Sequence, residues 1–158
     1  MKELLQLLKQ NARLSNAELA VMMGKTEAEV AAEITELERA GVIRGYSVIL
    51  DEELADRDAV SAYIELKITP KPDSGFDELA KTVMAYDEVE SVTLMSGGYD
   101  LGLTVTGYSL RDIAAFVAQR LSALDGVLST TTHFVLKRYK DKGISILDEQ
   151  SDERGVYL

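Results

Sequence analysis

Cysteine is absent from the 158 residues, which removes disulfides, thiol chemistry and cysteine-ligated zinc or iron–sulfur centres together. Histidine occurs once, at His133, so only carboxylates remain to build a metal site, and no EF-hand, phosphate-loop or dinucleotide motif is present. No Ser/His/Asp arrangement can be assembled, and the run Asp51-Glu52-Glu53 reads as a solvated connector, not a catalytic cluster. His133 is expected at an exposed or partner-facing position on a strand. Proline is confined to Pro70 and Pro72. No apolar run is long enough to span a bilayer, and the N-terminus lacks the features of a signal peptide. The expectation is a cytoplasmic chain with no membrane partner, no metal, no cofactor and no catalytic residues.

Excess positive charge is lacking as well: the net charge is −10. It is unevenly spread. Residues 1–50 balance Lys2, Lys9, Arg13, Lys25, Arg39 and Arg44 against Glu3, Glu18, Glu27, Glu29, Glu33, Glu36 and Glu38, so nearly all the acidity belongs to residues 51–158. A nucleic-acid module is usually basic. This N-terminal third is close to neutral, and the acidic remainder is expected to face away from DNA.

What is present is a strongly punctuated N-terminal pattern. Residues 2–12 carry Leu4, Leu5, Leu7 and Leu8 on one side of a helix. Ser15-Asn16-Ala17-Glu18 and Thr26-Glu27-Ala28-Glu29 are two capping boxes, each pairing an N-cap hydroxyl with a carboxylate three residues on. Met23-Gly24-Lys25 supplies the turn between them, with Gly24 free to adopt positive φ. Leu19, Ala20 and Met23 are the inward residues of the first helix; Val30, Ile34 and Leu37 have the spacing of one buried face on the second, which Gly41 ends. Two capped helices this close together, with a third upstream, follow the helix-turn-helix plan, whose second helix enters the major groove. Residues 43–50 are expected as a strand, giving a winged-type unit over 1–46, with 47–58 as strand and linker.

From Val60 the period changes to two. Val60, Ala62, Ile64, Leu66 and Ile68 alternate with Ser61, Tyr63, Glu65, Lys67 and Thr69. A helix bearing Phe76, Leu79, Ala80, Val83 and Met84 follows. Then come a strand from Val89 to Met95, the turn Ser96-Gly97-Gly98-Tyr99-Asp100, and a strand from Leu101 to Thr106. A Ser109-capped helix with Ile113, Phe116, Val117, Leu121 and Leu124 ends at Gly126, and the last strand runs from Val127 to Leu136. The class is therefore α+β, with a ferredoxin-like βαββαβ domain over 59–138 behind the helix-turn-helix. An uncovered sheet face carrying Tyr63, Val92, Leu94 or Phe134 would favour a two-fold dimer. The tail, 139–158, with apolar islands at Ile144, Ile146 and Val156-Tyr157-Leu158, is expected to dock, on a partner subunit in the simplest case.

The order of parts resembles the Lrp/AsnC family of transcriptional regulators, the feast/famine proteins, over essentially the whole chain. The matching stretches are Asn11-Ala12-Arg13-Leu14-Ser15, the run Leu37-Glu38-Arg39-Ala40-Gly41-Val42-Ile43-Arg44-Gly45-Tyr46, and Ser96-Gly97-Gly98-Tyr99-Asp100. The resemblance implies a DNA-binding domain, a C-terminal domain that dimerises and binds a small effector, commonly an amino acid, and assembly of dimers into octamers. It also marks a departure. The family's second motif helix is usually rich in arginine or lysine, whereas here Glu33, Thr35 and Glu36 stand in those positions.

At 100° per residue, Ala28, Ala32, Thr35 and Arg39 form the outward face of that helix. Thr35 and Arg39 are its only side-chain donors, and the alanine methyls suit thymine methyls. Ser15 and Asn16 at the start of the first motif helix, Lys25 and Thr26 at the turn, and Arg44 beyond the second helix complete the DNA-facing candidates. Glu29 is accounted for by its capping box and Glu36 by pairing with Arg39; Glu33 has no partner legible in the sequence. For the effector, the amides of Ser96, Gly97 and Gly98 offer a concavity for a carboxylate, and paired glycines supply the positive φ of a hairpin turn. Tyr99 is placed at a subunit contact or on the ligand. Asp100 is placed to accept from an ammonium, and Thr130 and Thr132 share a face and add hydroxyls. Two alternatives stay open: an effector-binding oligomeric sensor without DNA affinity of its own, and an enzyme like the sirohaem decarboxylases, which resemble these regulators.

Overall fold

Five side chains, Leu4, Leu19, Ala20, Val30 and Leu37, are almost wholly removed from water and form the centre of the N-terminal unit, with Leu5, Leu7, Leu8, Met23, Ile34 and Ile43 packed around them. The computed structural model describes residues 1–147, and two units emerge, Met1–Val48 and Ile49 onward. Helix α1 runs Lys2–Gln10, α2 Asn16–Met23 and α3 Glu27–Arg39. Of the leucines on α1 only Leu4 is fully buried, because a single turn of that helix faces the centre of the cluster.

Both capping boxes form. Ser15 accepts from the Glu18 amide at 3.2 Å while the Glu18 carboxylate takes the Ser15 amide at 2.8 Å; Thr26 and Glu29 repeat this at 3.3 and 2.8 Å. Those amide bonds, followed by the cap hydroxyls, hold Glu18 and Glu29 below the usual carboxylate range. Gly24 closes α2 in the left-handed region at φ 64°. Gly41 does the same after α3 at φ 68°, with the Arg44 guanidinium folded over the space a Cβ would need. Among the described residues 43–50 form no strand: no second strand in the unit lies beside them to receive their backbone groups, and what holds the segment is Ile43 N to Leu37 O at 3.1 Å and Tyr46 Oη to Glu38 at 2.9 Å.

The second unit opens with a one-turn helix, α4 (Glu52–Ala55), capped by Asp51. Then follow β1 (Val60–Ile68), α5 (Asp77–Met84), β2 (Val89–Leu94), β3 (Leu101–Gly107), α6 (Leu110–Phe116) and β4 (Val127–Phe134). The antiparallel sheet has strand order β2-β3-β1-β4, the ferredoxin-like arrangement. Ala62, Ile64, Leu66 and Ile68 of β1, with Leu101, Leu103 and Val105 of β3, pack against Val83 of α5 and Ile113 and Phe116 of α6. Burial of each large side chain contributes about 1.5–3 kcal/mol. The helix carrying α6 widens to a π-helical turn over Val117–Leu121, which keeps Val117 and Leu121 on the core side. Met84 points to water, at the last residue of α5, beyond the sheet.

Register decides the faces. Cross-strand neighbours share a face, and Val92 and Leu94 lie opposite Leu103 and Leu101, while Phe134 lies opposite Ala62. All three belong to the helix-covered side, not the open side. The cause is one extra residue in each outer strand: Glu90 interrupts the pairing of β2 with β3, and Leu128 that of β4 with β1. Of the expected open-face residues only Tyr63 is there, opposite Thr104 and His133. Its neighbours on that face are polar, and His133 Nε2 lies 3.4 Å from Glu65.

Beyond Phe134 the chain leaves the sheet two residues earlier than its composition implies. Leu136 is 93% exposed: the last backbone bond to β1 is Val135 N to Ser61 O at 2.9 Å, one step short of Val60. Lys140–Asp141 and Ile144–Ser145 form a small hairpin (β5 and β6) across Lys142 and Gly143, both at positive φ. Arg138 bonds Asp141 at 3.3 Å and approaches Glu52 at 3.6 Å. The hairpin's exit, with Leu50, Ser61 and Val135, borders a cavity of about 270 Å³. The expected docking of 148–158 falls outside the described residues.

Candidate nucleic-acid interface and effector turn

On α3, Val30 and Leu37 turn inward, and the opposite side is left to water: Ala28, Ala32, Thr35 and Arg39 are all exposed. The face read from the 100° spacing is thus a continuous exposed strip. Its donors are engaged. Arg39 forks onto Glu36 through Nε at 2.9 Å and Nη2 at 2.7 Å, and the Thr35 hydroxyl donates to the Ala31 carbonyl at 2.9 Å. With both partners largely in water, the Arg39–Glu36 bond is a surface pair worth about 0–1 kcal/mol and is readily exchanged.

The turn differs. Lys25 is bonded to Glu33, eight residues on, so the carboxylate without a partner in the sequence joins the start of α3 to its second turn. The Lys25 bond holds Glu33 below the usual carboxylate range. Ser15 and Thr26 spend their hydroxyls in the caps, while Asn16 is half-buried as the first residue of α2. Arg44 is exposed beside Gly41. Lys2, Lys9, Arg13 and Arg44 carry no ion pair among the described residues.

In the second unit the turn between β2 and β3 is anchored by its last residue. Met95 N donates to Asp100 O at 2.8 Å, Asp100 N to Leu66 O at 2.9 Å, and Ile68 N to Asp100 Oδ2 at 2.8 Å. One carboxylate oxygen of Asp100 is therefore committed to the end of β1, and the other makes no hydrogen bond among the described residues. Ser96, Gly97 and Gly98 stand exposed, and their amides, with that of Tyr99, find no protein partner among the described residues. Neither Gly97 nor Gly98 has positive φ, contrary to the hairpin expectation: six residues, 95–100, span the strand ends without a left-handed step. A Cβ at either would meet nothing within 4 Å, so the two glycines leave open space in front of the amides.

Tyr99 turns to the open sheet face, where its hydroxyl lies 2.7 Å from that of Tyr63 and the rings meet edge-on at 6.2 Å. The shared hydrogen bond, with burial behind it, pushes the Tyr63 phenol up to about 12. Sequence reasoning missed Tyr63 as the partner of the turn; only the pairing of β1 with β3 brings residues 36 apart together. Thr130 and Thr132 share a face, half-buried, level with Leu66 and Ile64 on the helix side. Thr130 thus lies at the same sheet end as the turn, with β1 between, two strand spacings or roughly 10 Å away. Among the described residues, neither the 270 Å³ cavity nor a second of about 180 Å³ beside α5 is lined by any of the seven effector candidates.

Two family models match the chain: winged helix-turn-helix DNA-binding over residues 1–44, and the Lrp/AsnC ligand binding domain over residues 61–144. The HTH-type transcriptional regulator YugG of Bacillus subtilis is 44% identical over 157 residues, covering 99% of this chain and 94% of that protein. The leucine-responsive regulatory protein of Haemophilus influenzae is 27% identical over 145 residues, covering 92% and 87%. Among solved structures, the transcriptional regulator NMB0573 of Neisseria meningitidis in complex with L-Met superposes with a TM-score of 0.72 at 28% identity, over 88% of this chain and 89% of that one. The AsnC structure from E. coli shares the fold at a TM-score of 0.69 and 22% identity, over 90% and 93%.

Proposed function

Since the chain belongs to the Lrp/AsnC family of transcriptional regulators, a non-enzymatic class, we infer that it binds double-stranded DNA through α3 as a homo-oligomer and takes a small effector, an amino acid, at the β2–β3 turn. Four amides without a protein partner among the described residues, Ser96 to Tyr99, beside a carboxylate with one uncommitted oxygen carry the effector reading. Such a pair suits an α-carboxylate on one side and an α-ammonium on the other, by charge-assisted hydrogen bonds. An L-Met complex of a structural neighbour supports the ligand class. Thr130 and Thr132 belong to the same site, which a second subunit completes, because one chain alone leaves it open at the sheet end. On the DNA side Ala28, Ala32, Thr35 and Arg39 read base edges, while Lys2, Lys9, Arg13 and Arg44 supply phosphate contacts.

A subunit with so few free cations grips DNA weakly, and linking several reading heads in one particle restores affinity through effective concentration. Ligand at the turn alters how dimers join, and so the spacing of those heads. The test is a fluorescence titration of the assembled protein with duplex from beside its own coding region, across salt and an amino-acid panel, with light scattering on the same samples. Binding that changes together with particle mass when one amino acid is added is the expected result. A particle that responds to amino acids yet leaves duplex alone at low salt is a sensor only, the reading favoured by the Glu36–Arg39 pairing.

A further inference from the structure

The two carboxylates on the DNA side of α3 that hold cations do not hold them alike. Glu36 and Arg39 are both largely in water, at 54% and 74% side-chain exposure, whereas Lys25 and Glu33 stand at 31% and 32%. One oxygen of Glu33 binds Lys25; the other is shut away from solvent with no hydrogen-bond partner among the described residues. If Lys25 left to meet a phosphate, Glu33 would keep a shielded oxygen and lose its counter-charge, the costly way to break an ion pair. The other charges near Glu33 are the Met1 ammonium, which favours its ionised form, and Glu29, which opposes it. Neither replaces the lysine bond.

We propose that Glu33 sets the DNA affinity of this protein by withholding Lys25 from the phosphate backbone at the start of the reading helix. The inference rests on the DNA-binding reading above. It explains how a helix at the usual point of phosphate contact carries a lysine and yet offers no free cation there. Each bound subunit then displaces about one counterion fewer than its sequence promises, and the salt dependence of binding is correspondingly shallow.

The experiment is a salt series of duplex titrations on the full-length protein and three variants, Glu33→Gln, Lys25→Met and the double variant, each checked for folding by thermal melting. Glu33→Gln is expected to tighten binding and steepen the slope of log K against log salt by about 0.9 per engaged subunit. Lys25→Met alone leaves the slope of the parent unchanged, and in the Glu33→Gln background it cancels the gain; this closed cycle separates release of Lys25 from simple loss of a negative charge. Should Glu33→Gln fold poorly, Glu33→Ala is read in its place. An unaltered slope in the Glu33 variants, or a slope already lowered by Lys25→Met in the parent, overturns the inference while leaving DNA binding intact. A parent that ignores duplex while Glu33→Gln binds it supports the inference. Duplex ignored by every variant at low salt overturns the DNA-binding reading and this inference with it.

Discussion

Gly102 lies directly beneath the ring of Tyr63: a Cβ built on it would sit 2.8 Å from Cζ and overlap the hydroxyl. Gly102→Ala therefore forces Tyr63 off its contact with Tyr99. Overpacking of this kind costs about 1–3 kcal/mol, to be read from chemical denaturation. In a Tyr63→Phe background the same change is expected to cost less, because the hydroxyl is the atom that overlaps most; equal costs in both backgrounds would show that the strain lies elsewhere.

The shared hydroxyl also has a pH signature. The Tyr63 phenol titrates at about 12 in the folded chain against 10.0 ordinarily. A folded value above the unfolded one gives stability that is complete below pH 10 and lost as pH rises through 12. Melting temperatures should fall across that window, with phenolate absorbance rising at the same time. Tyr63→Phe flattens the fall, since the phenol that ionises late is gone.

Asp100 ties the effector turn to β1. Asp100→Ala leaves the Ile68 amide without its partner, an expected loss of about 1–3 kcal/mol in folding stability, and removes the thermal shift produced by an amino-acid ligand. Asp100→Asn keeps an acceptor for Ile68 but not the charge. It should retain most of the stability and still lose the shift, a split visible by calorimetry with and without ligand.

Acid acts first on the caps. Glu18 and Glu29 lie below their ordinary 4.5 in the folded state, so their contribution is whole above that pH and is lost as pH falls through the folded values. Protection factors of the Ser15 and Thr26 amides, taken relative to the intrinsic rate that itself slows in acid, should fall on acidification below 4.5. Ser15→Ala and Thr26→Ala, each costing about 1 kcal/mol, should lower the protection of the Glu18 and Glu29 amides at neutral pH, each for its own helix only.

Of the residues proposed to read DNA, Arg39 has most to lose. Arg39→Ala is expected to weaken binding to a preferred duplex by about 1–3 kcal/mol more than to an unrelated one. Equal weakening on both, with a slope reduced by about 0.9, would make it a phosphate contact instead.

Local signals carried most of the helix-turn-helix. A capping box is a matter of four consecutive residues, and both were legible because nothing distant decides them. The period-two run of β1 was legible for the same reason. The partner of Glu33 was not, since Lys25 stands eight residues away, outside the three- and four-residue spacings of a helix, and reaches it from the non-helical turn before the Thr26 cap. The faces of β2 and β4 were not either. Counting alternately from Val89 or Val127 puts Val92, Leu94 and Phe134 on the open side, and a single unpaired residue in each strand reverses the count. Tyr99's partner, three dozen residues upstream, depends wholly on strand order.

Those two supernumerary residues are where each outer strand can lose length without turning over. Excising Glu90 leaves Val89, Ser91 and Val92 opposite Val105, Thr104 and Leu103, and excising Leu128 leaves Val127, Ser129 and Thr130 opposite Ile68, Lys67 and Leu66, so Val92 and Phe134 stay on the helix side. A one-codon deletion at either place should thus be far less harmful than deletion of a paired residue such as Thr131, which would send Phe134 out to water.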